Sequence, residues 1–402
     1  MVLVIADDLG VDALQAYADI NGVDVSDRDY PATPTIDRIC REGVRFTQAW
    51  AMPTCTPTRG SILTGRYGFR TGLDGVGRGK TILKAEITLP KILDGVANTA
   101  NVGKWHLGEE AETGGLRTPN EMGWDHYAGA IGNLDGYFSF TKVVDGREVK
   151  VDNYATTETV DDAIAWATKQ PTDASWLLWV AFNAPHGPFH NPPDHLHQHD
   201  GTTDPAEQYD AAVEALDTEL GRLLRELPAD VDVIVIGDNG SPARSIRAPL
   251  NRQHSKGTLY QGGVHVPLCI AGPQTNGARS EAALVSSVDL FATAANLLGV
   301  TPPQNAGDDS VSLTPYLRGT APPQRTFVYS EQNRTHERNK KAKNVGGKTI
   351  RDARYKLIAF EDGTTALYDL ERDPNEQRDL SASATGDAAA AMKSLRAAMD
   401  QL

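Results

Sequence analysis

Short, uninterrupted apolar runs rich in β-branched residues recur along the chain at Val2–Ile5, Thr99–Val102, Leu177–Phe182, Val231–Ile236 and Val266–Ile270. Continuous rather than alternating hydrophobicity is expected of strands buried on both faces. Between them the period changes to that of helices. Thr33 precedes Pro34, an N-cap followed by a proline in the first turn, and Gly43 offers a stop. From Glu207 to Leu227, Tyr209, Val213, Leu216, Leu220, Leu223 and Leu227 fall three or four apart, one apolar helix face ended by Pro228. Strands alternating with helices predict an α/β fold on a large, mainly parallel sheet between helices, spanning residues 1–325. Beyond it the pattern shifts. Thr349–Phe360 and Thr365–Leu370 read as two hairpin strands around Glu361-Asp362-Gly363, and Asp387–Leu402 as a terminal helix. Residues 326–402 are therefore expected to form a small C-terminal α+β subdomain with an antiparallel sheet. The basic stretch Arg338–Lys343 reads as a solvated loop.

The composition narrows the function. In 402 residues, 53 acidic side chains against 39 basic ones give a formal net charge of −14. That balance argues against nucleic acid or an anionic membrane as partner, and no apolar run is long enough to cross a bilayer. The N-terminus carries no leader pattern, so the chain as written reads as cytoplasmic, or as periplasmic or secreted if a leader is missing. Three cysteines are too few for a disulfide scaffold. Cys40 and Cys269 are expected to be free thiols in the core.

Chemistry collects where strands end. Four of the runs lead into Asp7-Asp8, Gly103-Lys104-Trp105-His106, Asn183-Ala184-Pro185-His186 and Gly237-Asp238-Asn239-Gly240. In open α/β sheets the carboxyl ends of the strands are where ligands bind. Any one of these segments could be ordinary turn chemistry. Together, Asp7, Asp8, Asp238 and Asn239 offer hard oxygen ligands for Ca²⁺, with Mg²⁺ an alternative, and a cation would relieve the repulsion of converging carboxylates. Cys55-Thr56-Pro57-Thr58-Arg59 is a further rare arrangement, and the residues after Pro57 read as a helix start that puts Cys55 near the positive dipole end. By itself it also fits a packed or an activated thiol. His190, His195, His197 and His199 read as a mobile polar rim loop rather than a second metal site, and Trp176 and Trp179 as core.

The segment Cys55–Arg66, with Ala6-Asp7-Asp8-Leu9-Gly10, Gly103–Gly108, Ala184-Pro185-His186, Gly237–Gly240 and Lys256–Gly263 in that order, resembles the type I sulfatases of the alkaline-phosphatase-like superfamily. The tail from Arg354-Tyr355-Lys356-Leu357 to Asp373-Pro374 is similar to that family's C-terminal subdomain. The resemblance implies that Cys55 is oxidised to Cα-formylglycine by a formylglycine-generating enzyme. One hydroxyl of its hydrate attacks sulfur, and the other expels sulfate as the aldehyde reforms. It assigns Asp7, Asp8, Asp238, Asn239 and modified Cys55 to a divalent metal, usually Ca²⁺. Arg59 and Lys104 are assigned to the diol, with Asp238 able to take the nucleophile's proton. His106 assists sulfate release, and His186 and Lys256 hold and protonate the leaving ester oxygen. Gln261 and His265 depart from the Glu and Arg common at those places, which bears on packing behind Lys256.

The function expected is hydrolysis of an aryl or small sugar sulfate. The alternatives are a phosphonate monoester or phosphodiester hydrolase with the same nucleophile, and an inactive sulfated-ligand binder with Cys55 unmodified. His254, two residues before Lys256, is a further substrate-side candidate. Specificity is expected in Glu109–Tyr154, Phe189–Gln208 and Ser241–Gln253.

Overall fold

A computed structural model describes residues 1–20, 29–77, 80–108, 115–247, 250–319, 321–333 and 346–402. The basic stretch 338–343 and parts of the first and third specificity segments lie outside the described residues. At the centre of a ten-stranded sheet run five parallel strands, in the order Val233–Gly237, Val2–Asp7, Trp176–Pro185, Asn98–Gly103 and His126–Gly129. The flanks are antiparallel: Leu268–Ala271 lies against Val233–Gly237, and the hairpin Phe140–Val144/Arg147–Val151 closes the other edge. The run at Val266–Ile270 is thus a buried strand as read, but of opposite direction.

Alternate residues of the N-terminal strand supply both layers of core. Leu3 and Ile5 join the cluster with Ile62 and Leu63 of the helix Cys55–Thr64 and with Leu290 and Phe291. Val2, Val4 and Ala6 join the cluster with Ile36, Val160, Val213 and Leu216, from the helices Pro34–Glu42, Ala155–Ala167 and Pro205–Glu226. Burial on both faces is what made these strands read as continuous apolar runs. The long helix starts at Pro205, two residues before the pattern suggested, because Asp204 caps it through Ala206 N at 2.8 Å. Likewise the helix holding Cys55 begins at Cys55 itself, with Pro57 tolerated in its first turn.

Two expectations are corrected. Cys40 and Cys269 are not free thiols: their sulfurs are 1.99 Å apart in a disulfide. Helix Pro34–Glu42 packs over strand Leu268–Ala271, which brings two small buried residues 229 positions apart face to face. Second, Thr349–Phe360 is two strands, Gly347–Arg351 and Tyr355–Phe360. The Asp352 side chain accepts from Arg354 N and Tyr355 N and turns the chain between them. With Val328–Gln332 and Thr365–Asp369 they form a four-stranded antiparallel sheet, against which Leu395 and Met399 of the terminal helix Gly386–Asp400 pack. This sheet also touches the larger α/β part, since Ser330 Oγ donates to Ala51 O four residues before Cys55. Among the described residues no helix is long and apolar enough to cross a membrane.

Candidate active site

Register brings the polar strand ends together. Asp7 lies opposite Pro185, Ala6 opposite Gly237, and Gly103 opposite Ala181, so the residues that follow emerge along one edge. Asp238 N donates to Ala6 O at 3.1 Å, and Asp8 N to Asp238 Oδ1 at 3.0 Å. Asp8 sits in left-handed backbone conformation at φ 70°, unfavourable for a residue with a Cβ. It is held there by Tyr209 Oη donating to its carbonyl at 2.8 Å and Asn239 Nδ2 donating to its carboxylate at 2.8 Å. Ser241 Oγ, 3.0 Å from Tyr209 Oη, accepts from Gly10 N and donates to Asp12. Tyr209 counted only as part of an apolar stripe in the sequence, and Ser241 simply follows the Asp238-Asn239-Gly240 motif. Neither carried a signal of its own.

The buried charges are three carboxylates and three cations. Arg59 Nε and Nη2 donate to Asp238 Oδ2 at 3.1 and 2.9 Å, and Nη1 to Lys104 O at 3.0 Å. Lys104 pairs with Asp7, and Lys256 Nζ stands 2.5 Å from Asp8 Oδ1. The side chains of Asp7, Arg59, Lys104 and Asp238 are at most 1% exposed. Burial alone would raise the Asp7 carboxyl, but Lys104, His186, Arg59 and Lys256 hold it well below the usual range. Asp238 is pushed up to about 7 by burial and the Asp7 charge, against Arg59 and Lys104. The expectation that these carboxylates need a metal to converge is therefore met in part by the chain's own cations.

Cys55 is the one free cysteine of the described residues. Its Sγ is 3.3 Å from Asp7 Oδ1 and 3.7 Å from Lys256 Nζ. Burial and the Asp7 charge raise the thiol far above its ordinary value, so despite its place at a helix start it is no activated thiolate. His186 Nδ1 lies 2.6 Å from Gly187 O, and Nε2 faces the site 3.9 Å from Asp8 Oδ2. His106 joins through its backbone: its carbonyl accepts from Thr56 Oγ1 at 2.9 Å and its N–H donates to Ile131 O.

Donor atoms of Asp7, Asp8, Cys55 and His186 lie within 4.8 Å of one another. The Asn239 Oδ1, buried and without a hydrogen-bond partner among the described residues, is a further oxygen free to ligate. With it the two carboxylates make three hard oxygen donors beside one sulfur and one imidazole nitrogen, a set able to hold a divalent cation.

Other candidates fall outside this group. The His254 ring stacks on Tyr260 at 3.7 Å and lines a cavity of about 260 Å³ with Gln261, His265 and Arg351. Of the two departures from the family pattern, Gln261 is held through its backbone, its N–H donating to the Glu376 carboxylate, and His265 Nε2 lies 2.9 Å from Thr47 O. Three of the four rim histidines have partners: His197 Nε2 bonds Pro192 O, His199 approaches Glu214, and His190 is held in an aromatic stack, while His195 is exposed. Trp179 is core, edge-on to Trp124.

A family model described as Sulfatase matches residues 1–300, and one described as N-sulphoglucosamine sulphohydrolase, C-terminal, matches residues 251–402. An uncharacterized sulfatase of Escherichia coli (strain K12), YdeN, is 28% identical over 320 aligned positions, 71% of this chain and 57% of that protein. The chain thus spans little more than half of that relative. Arylsulfatase A of Homo sapiens is 28% identical over 465 aligned positions, 100% of this chain and 88% of its own. The structure of BT4656 with its substrate D-glucosamine-2-N,6-O-disulfate shares the fold with a TM-score of 0.79 at 20% identity, covering 100% of this chain and 97% of that one.

Proposed function

The chain belongs to the sulfatase family, sulfuric ester hydrolases of the alkaline-phosphatase-like superfamily, and from that premise we propose that it hydrolyses aryl or small sugar sulfate monoesters at Cys55. The observation that carries the reading is the convergence of Asp7, Asp8, Cys55, His186 and Lys256 around one point, at the start of a helix whose Arg59 is locked onto Asp238. In this reading Cys55 is oxidised to formylglycine, whose hydrate supplies the attacking hydroxyl. Asp7, Asp8, Asp238, Asn239 and the modified side chain would hold Ca²⁺ or Mg²⁺, which supplies Lewis acidity toward the sulfate oxygens.

The chain's own groups account for the rest. Arg59 and Lys104 orient the side chain at 55 and offset the charge that develops there. Asp238, held in place by Arg59, takes the proton of the attacking hydroxyl. An oxygen–sulfur bond forms as the bond from sulfur to the ester oxygen breaks. Lys256 lies between Asp8 and Cys55, where it would bind a sulfate or ester oxygen. His186, anchored at Nδ1 by Gly187 O, presents Nε2 to protonate the departing alcohol. His106 is assigned to proton removal in sulfate release. The boundary between catalytic and C-terminal parts is placed at residues 325/326. The disulfide Cys40–Cys269 supports an oxidising compartment, hence the periplasmic or secreted alternative.

The test is turnover of aryl sulfate, sugar sulfate, aryl phosphate and phosphonate monoester by one preparation, with peptide mass spectrometry across Cys55. Modified Cys55 and a preference for sulfate are expected. Preference for the phosphorus esters would establish the rival hydrolase, and an unmodified Cys55 with sulfate bound but not cleaved would establish a binder.

Leaving-group chemistry gives a second expectation. A nitrophenolate departs without proton help, whereas an alkyl alkoxide does not. His186→Ala should lower kcat/KM for alkyl sulfate on the order of 10²-fold more than for nitrophenyl sulfate. Equal losses would move the acid role to Lys256.

A further inference from the structure

Next to His186 stands an aromatic assembly that hydrolysis itself does not use. Tyr137, buried, directs its hydroxyl at Asn183 O and His186 O, 2.6 and 2.7 Å away, and so braces the turn that carries His186. Its ring stacks on His190 with centroids 3.9 Å apart. Burial lowers the basicity of His190. Its Nδ1–H donates to Pro188 O at 2.9 Å, and Nε2 accepts from Tyr154 Oη at 3.0 Å.

Upon this stack lies Phe138, edge-on to His190 with centroids 5.9 Å apart and tilted against Tyr154 at 5.4 Å. It is 50% exposed, the one aromatic among the large apolar side chains that the described residues leave in solvent. A lone exposed Phe needs no explanation. This one is different in that two packed rings, His190 and Tyr154, hold its orientation, so a ligand laid on it orders no new side chain.

We propose that Phe138 is a stacking platform for the flat, apolar face of a ring-bearing leaving alcohol. The proposal rests on the sulfatase reading, because it is that reading which makes the His186 side the leaving-group side. Tyr137 ties the two together, its hydroxyl on His186 O and its ring on His190, so the platform packs against the turn that carries His186 and borders the path by which the alcohol would depart. A sugar's C–H face and an aryl ring share the chemistry that such a surface holds; a straight alkyl chain presents neither. An apolar ring face suits the alcohol half of the ester rather than its sulfate.

The experiment measures binding of nitrophenyl sulfate, glucosamine 6-sulfate and a straight-chain alkyl sulfate to Cys55→Ala protein by calorimetry, with and without Phe138→Ala. Phe138→Ala should weaken one or both ring-bearing esters about 3- to 10-fold, the range of an aromatic contact, and leave the alkyl ester within about twofold. Which ring responds tells sugar from aryl. In otherwise native enzyme the loss should appear in KM with kcat unchanged, and Phe138→Trp should restore it. Equal effects on all three esters, or none while they still bind, would overturn the platform alone. So would conversion of a dimer to a monomer by Phe138→Ala, which would assign the ring to a contact between copies. If none of the esters binds and native enzyme cleaves none, the sulfatase reading fails and takes the platform with it.

Discussion

Cys55→Ala is expected to abolish sulfate-ester turnover while the thermal midpoint stays near that of the parent. Cys55 opens the helix Cys55–Thr64, where alanine is a good helix former, and its sulfur makes one contact with Asp7 and one with Lys256. Removing it deletes the nucleophile and only one heavy atom of packing. Cys55→Ser sharpens the expectation. A single hydroxyl can accept sulfate once, but it lacks the second hydroxyl that would expel it. Intact-mass analysis should therefore find the serine sulfated after one turnover. Steady multiple turnover by either variant would refute Cys55 as the source of the nucleophile.

Arg59→Ala should cost both activity and stability. The guanidinium is about 1% exposed and bridges Asp238 to the Lys104 carbonyl. Deleting it leaves Asp238 and Asp7 without their shared cation, and an uncompensated buried charge destabilises by about 3–5 kcal/mol. Arg59→Lys should recover little, because one ammonium cannot donate to Asp238 and to the Lys104 carbonyl in the same fork. Combining Arg59→Ala with Asp238→Asn should restore part of the stability, since the orphaned carboxylate is neutralised, and none of the activity. Denaturant midpoints and kcat/KM measured on the three variants separate the two effects. An Arg59→Ala protein as stable as the parent would show that Arg59 does not hold this cluster together.

What was legible in the sequence follows from range. Continuous apolar runs reveal strands buried on both faces, and a polar residue at the end of each shows where a shared edge carries chemistry. Asp7, His186 and Asp238 could therefore be read one by one. That they meet depends on register, for example Ala6 opposite Gly237, which no local pattern encodes. The supports are less legible still. Tyr209 reads as one apolar position in a helix stripe, and only the fold brings its hydroxyl to a carbonyl 201 residues away. The turn at Asp352 was hidden because the residues on both sides of it favour strands. Cys40 and Cys269 were misjudged for the same reason as Tyr209: each sits in an apolar segment, and pairing is a property of two segments, not one. His254 shows the reverse error, since nearness to Lys256 in sequence does not place its ring at the chemistry.

The Cys40–Cys269 bond turns the chain between those residues into a covalent ring. Cys55, Arg59, Lys104, His106, His186, Asp238, Asn239 and Lys256 all belong to that ring, whereas Asp7 and Asp8 ride on the free N-terminal arm. The arm's strand is wedged between Val233–Gly237 and Trp176–Pro185, both ring segments, so the ring gains its two acids only when the arm docks. Cys55 is 2% exposed once that has happened. The proposed conversion of Cys55 would therefore have to come before the arm docks, with the three thiols sorted in time: one converted, the other two left for each other.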